Sequence, residues 1–337
     1  MNLPAALHTI KWLVRDTFRQ SVHSGMFGLM LGISAVFIIF CLSVRVTGAA
    51  RLHEQGEYAD FAPPGAVDPQ RAKISGVTIL NPDARVTFGF GLMPANIGRD
   101  ADDSLRLIQL LLAGLVADTL GVLVALVFTA GFIPSFLDPA SATVLLAKPV
   151  PRWTLLTGKF VGVLCFVAFQ ASVFVGGTWL AFGVGTGYWN GDYLLCIPLL
   201  LLHFGVFFSV SLFVAVCTRS TVACVLSSLV FWFLCFGLNY ARHYVVCADI
   251  LAPESPTLPA SLSWLAELGY WVFPKPADLN LILHDSLHSG THFGELEALR
   301  EVKKTSHYSP ELSIVSSVLA AGLLVFLAVR QLAKTDY

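Results

Sequence analysis

The sequence predicts an all-α polytopic membrane protein with six transmembrane helices, and three observations carry that prediction. Of 337 residues, 55% are hydrophobic and only 13% are charged, about half the charged share of an average soluble domain; the mean hydropathy is +0.72. Six stretches are long and apolar enough to cross a bilayer, which takes at least about 17 residues of helix. Basic residues gather in alternate connections between those stretches, as they do in cytoplasmic loops. A disordered or collagen-like chain is excluded, because apolar residues dominate without a Gly-X-Y period. The net charge of -1 offers no electrostatic footprint for nucleic acid.

Residues 1–25 read as an interfacial amphipathic helix. Leu7, Ile10, Val14 and Phe18 recur at helical spacing, with Lys11, Arg15 and Arg19 forming a stripe beside them. Such a helix lies along a membrane surface with its cations at anionic headgroups, or serves as a tether that positions the first span. Residues 26–48 hold that span, Met26 to Val44, which is too long for a signal-peptide core and lacks a small-residue cleavage site.

Residues 49–104 form the first outer loop. Ile74–Leu80 and Arg85–Phe90 flank Asn81-Pro82-Asp83-Ala84, and Val86, Phe88 and Phe90 alternate, which predicts a β-hairpin. Residues 105–239 contain the second to fifth spans: Leu107–Ile133, Phe160–Phe182, Tyr193–Val216 and Val222–Leu238. Residues 240–310 form a second outer loop of helical character. Its Trp264, Tyr270, Trp271 and Phe273 suit a membrane interface, and Pro274 and Pro276 precede an amphipathic stretch with Leu279, Ile282, Leu283 and Leu287. Residues 311–337 supply the sixth span, Leu312–Val329, and a tail.

Orientation follows from the cations. With both termini cytoplasmic, the inner segments carry Lys11, Arg15, Arg19, Lys148, Arg152, Lys159, Arg219, Arg330 and Lys334 against Asp16, Asp138 and Asp336. Seven cysteines are scattered without a CxxC pair and read as small buried hydrophobes; the spacing of Cys196 and Cys247 near the outer face demands no disulfide.

The connection between the second and third spans is the most informative. Within 138–148, Asp138 can cap a first turn, Pro139 fits the first helical position, Lys148 suits the C-terminal dipole and Pro149 stops the helix. A helix of this size, about 15 Å long, could dock on a soluble partner.

The run Leu137, Leu145-Leu146-Ala147-Lys148-Pro149-Val150-Pro151-Arg152, Gly158-Lys159-Phe160 resembles the signature of type-2 ATP-binding-cassette exporter permeases. The layout of interfacial helix, six spans and a helical outer region before the last span is similar along nearly the whole chain. The resemblance implies a permease subunit of a bacterial inner membrane that pairs with a second permease copy and is driven by cytosolic ATPase subunits. ATP and Mg would then sit on the partner and no cofactor on this chain. Consistently, Gly158-Lys159-Phe160 lacks both the upstream glycine and the following hydroxyl of a P-loop. The resemblance makes Pro139 to Lys148 a coupling helix, with Pro139, Ser141, Leu145, Leu146, Lys148 and Arg152 as its partner-binding residues. Lys159 would anchor the third span in the headgroups.

Asp118 is the acid set well inside a span. It fits an ion pair with Arg45 at the end of the first span, a substrate or proton site, or a hydrated acid. His284 and His288 share a helical face and His292 follows, which invites a metal, yet Gly290 interrupts the helix and a solvated polar face accounts for them as well. Two further functions therefore stand beside the exporter: a membrane anchor for an outer complex, and a metal-dependent membrane enzyme built on the His284/His288 helix.

Overall fold

The structure is a computed structural model and describes residues 3–47, 85–95, 101–138, 151–251, 260–287 and 309–334. Among the described residues, six helices are long and apolar enough to cross a membrane, and each contains or closely matches one of the six sequence stretches.

Helix α1 (Leu3–His23) leads through Ser24-Gly25 into α2 (Met26–Ser43), the first span. Three short strands follow: β1 (Arg45–Thr47), β2 (Arg85–Phe88) and β3 (Met93–Ala95), antiparallel in the order β1-β2-β3 with Val46 opposite Val86 and Thr87 opposite Pro94. The second span, Leu105–Phe136, is assembled from α3 (Ala101–Leu110), a π-helix (Leu111–Gly121), α4 (Val122–Thr129) and α5 (Phe132–Phe136). The third is α6 (Arg152–Thr186), which starts after Pro151 and stops at Gly187, in the left-handed conformation at φ 78°. A short 3-10 turn, Gly191–Leu195, opens the fourth span, α7 (Cys196–Thr218), and α8 (Thr221–Leu251) contains the fifth. Helices α9 (Ala260–Val272) and α10 (Pro276–Ser286) precede the sixth span, α11 (Pro310–Lys334).

The fourth span is the centre of the bundle, with 67% of its apolar window buried against 17% for the first and the sixth. Phe204, Phe207, Phe208 and Leu212 of α7 join Phe132, Phe166 and Leu126 in the main core. The glycines of the third span let its neighbours approach closely, as small residues do in membranes. A methyl on Gly177 would lie 2.4 Å from Ile38 Cδ1 of the first span.

One expectation is corrected and another is extended. The hairpin was expected to pair Arg85–Phe90 with Ile74–Leu80; residues 74–80 lie outside the described residues, and β2 instead takes β1 and β3 as its partners. The link to β3 runs through Gly89 (φ 62°), Phe90 (φ 60°) and Gly91 (φ 98°), and the Phe90 N–H donates to Ser43 O at 2.9 Å. The β1 partner was illegible because three residues at the end of an apolar span show no alternation.

The second finding concerns α1. Ile10 and Phe18 of the expected stripe meet the third span, Phe18 edge-on against Phe166 and Phe169, and the contact face also takes in Leu13, Thr17 and Ser21, all fully buried. Leu13 and Thr17 fit Gly158 and Gly162 of the third span, where added methyls would come within 2.6 Å and 2.7 Å of them. The notch that receives Leu13 and Thr17 is made by glycines of the third span, so the periodicity of α1 does not reveal it.

Candidate functional site

At the α1 side of the bundle, the ends of the second and third spans flank residues 139–150. Pro139, Ser141, Leu145, Leu146 and Lys148 lie outside the described residues. Arg152 opens the third span, and its Nη1 donates to Leu332 O of the sixth at 3.3 Å. Lys159 departs from expectation. It is 1% exposed, so it does not reach a headgroup layer. Its ammonium donates to Asp16 Oδ2 at 3.0 Å and Gln20 Oε1 at 2.9 Å, and lies 5.6 Å from the Phe136 ring centroid. A cation turned inward needs acceptors, and α1 supplies both.

Inside the bundle, Asp118 does not pair with Arg45. Arg45 is exposed at the start of β1, and the two form no ion pair. Asp118 is 3% exposed; its Oδ1 accepts from His203 Nδ1 at 2.9 Å and its Oδ2 from Asn280 Nδ2 at 3.2 Å. The tautomer follows from Trp232, whose indole N–H can only donate and does so to His203 Nε2 at 2.9 Å. His203 therefore carries its proton on Nδ1 and presents it to Asp118. The π-helix explains the missed partner: its wider turn changes the direction in which residue 118 points relative to an α-helix. The result ties the second, fourth and fifth spans to α10. A lone histidine within an apolar span was the available signal for His203.

The third cluster centres on Asp278 of α10, which is fully buried. Its Oδ1 accepts from His243 Nε2 at 2.6 Å and Asn239 Nδ2 at 3.3 Å; its Oδ2 accepts from Tyr270 OH at 2.9 Å and Ser313 Oγ at 2.5 Å. The Asp278 N–H also donates to Asn239 Oδ1 at 3.1 Å. Burial pushes the carboxyl up, but the hydrogen bond and charge of His243, with the hydroxyls of Ser313 and Tyr270, outweigh it and hold Asp278 below the ordinary carboxylate range. Lys275 is buried too; desolvation lowers its ammonium, Asp278 opposes that and Arg242 adds to it. Lys275 Nζ donates to Ser316 Oγ at 2.6 Å and sits 4.7 Å from the Tyr270 ring centroid. Sequence reading missed this centre because Asp278 sits in a polar outer segment where a solvated acid is the ordinary case.

His284 faces the second span, where a methyl on Gly114 would come within 3.2 Å of its Nε2. His288 and His292 lie outside the described residues, and among the described residues no three metal-ligating side chains gather. Cys196 is a buried free thiol.

Comparison with known families completes the picture. The family described as ABC-2 family transporter protein matches residues 12–267, from within α1 to within α9. No curated protein matches the sequence at a significant level.

Proposed function

Because the chain belongs to the ABC-2 transporter family and is its permease subunit, we propose that it works as one half of a dimeric exporter driven by cytosolic ATPases. Residues 139–148 form the coupling helix in this reading, both termini face the cytoplasm, and ATP with Mg is bound by the partner alone. ATP-driven closure of the ATPase pair pushes the coupling helix, and the spans of the two permeases rearrange to move cargo outward. The observation that supports the reading best is the bracing around 139–150. On one side, Ser135 and Phe136 are tied to α1 through Gln20 and Lys159. On the other, Arg152 is tied to the end of the sixth span. A segment whose two flanks are fixed to different spans can transmit a push.

The test is Leu145→Asp and Leu146→Asp in the full chain with its cognate ATPase. An apolar side chain buried in a docking cleft contributes about 1.5–3 kcal/mol, and a carboxylate there is strongly disfavoured. Both variants should express normally, lose ATPase co-purification and lose their effect on ATP turnover. Retained binding and stimulation in both would favour a membrane anchor instead.

A further inference from the structure

The junction at Lys159 carries a consequence beyond docking. Both acceptors of this buried ammonium, Asp16 and Gln20, belong to α1. Gln20 spends its other amide atom on the last turn of the second span, Nε2 to Ser135 Oγ at 2.7 Å. The first helix is thus clipped at once to the end of the second span and the early turns of the third, the two elements that flank 139–150. Withdrawing α1 would remove both acceptors of the Lys159 ammonium at once, which is disfavoured. Thr17 and Leu13, seated on Gly162 and Gly158, make the same joint close-packed.

The same C-terminal end of α1 continues through Ser24-Gly25 into the first span, with the Ser24 N–H donating to Gln20 O at 3.0 Å and the Leu29 N–H to Gly25 O at 3.1 Å. We infer that Lys159 is a positioning residue that makes α1 travel as one body with the flanks of the coupling helix. This rests on the coupling reading above.

The experiment uses the assembled permease and ATPase in lipid nanodiscs. Lys159→Met keeps the volume and removes the charge, and Asp16, 42% exposed, can turn to water. Lys159→Met should retain ATPase capture and thermal stability while permease-stimulated ATP turnover falls at least about fivefold. A disulfide between Thr17→Cys and Gly162→Cys is feasible, since a Cβ at residue 162 would sit 3.4 Å from that of residue 17, close to the usual spacing. Formed in the Lys159→Met background, it should restore at least half of the turnover, and in the parent it should leave turnover unchanged. If the disulfide in the parent stops turnover with capture intact, α1 slides on the third span and the inference is wrong; full turnover in Lys159→Met also overturns it. Should Lys159→Met not fold, the parent disulfide decides alone. Failure of the coupling reading looks different: capture and stimulation that survive Leu145→Asp.

Discussion

Lys159 and Asp278 are buried charges at opposite ends of the span bundle, and they are held in different ways. Lys159 has two acceptors, both from one helix, and one of them, Asp16, is 42% exposed. Asp278 accepts from four side chains of the fifth span, α9 and the sixth span, with no solvent exposure of its own. The first is a clip that joins one helix to a junction, with water at its edge. The second is a fully satisfied network that fixes where α10 sits, and in such networks each bond supports the others. A transporter needs both kinds of joint: one that carries displacement and one that resists it.

The proposed function places the clip on the ATPase side, and the largest effect, all or none, tests that. In a cysteine-free background, single cysteines replacing Ala66 or Thr257 should react with an impermeant maleimide in intact cells, and one replacing Ser141 should not. Labelling at Ser141 would put the clip on the wrong side.

Next in size is the cost of opening the network. Asp278→Ala strands His243, Tyr270, Ser313 and Asn239, so unfolding in detergent should reveal a loss of about 3–5 kcal/mol. Lys159→Met should leave stability nearly unchanged, because Asp16 regains water; equal losses would erase the distinction. The acid limb of stability should report the same site. The Asp278 carboxyl is held below its ordinary value of 3.8, so its contribution is fully present above about pH 4 and is lost as pH falls through the depressed value. In Asp278→Asn that part of the acid transition should vanish.

Asp118 sharpens the contrast at intermediate size. A double-mutant cycle between Asp118→Asn and His203→Phe should give a coupling of about 0.5–3 kcal/mol, whereas Asp118→Asn and Arg45→Gln should add within about 0.5 kcal/mol. Appreciable coupling to Arg45 would contradict the contacts described. The smallest effect belongs to rim charges. Neutralising Lys148 or Arg152 should weaken ATPase capture slightly and less so at high salt, measured as binding over a salt series.

Much of the architecture was legible from local pattern. All six spans could be read from apolar run length, because a bilayer-crossing helix must be continuous and apolar whatever packs beside it. The absence of a P-loop at Gly158-Lys159-Phe160 and the amphipathic character of α1 were equally local properties. What tertiary structure decided was the fate of each polar side chain within that frame. Lys159 looks like a headgroup anchor by its place in the chain, and becomes an internal clip because Asp16 and Gln20 arrive from 143 and 139 residues away. Asp118 was visible as an acid inside a span, but His203, 85 residues on, and not Arg45, meets it, since a π-helix changes its direction. Asp278 carried no signal at all until four residues from three other elements closed around it. Hydrophobic run length is set by the solvent and can be read residue by residue; the partner of a buried charge is set by which helices come together, and no single segment contains that information.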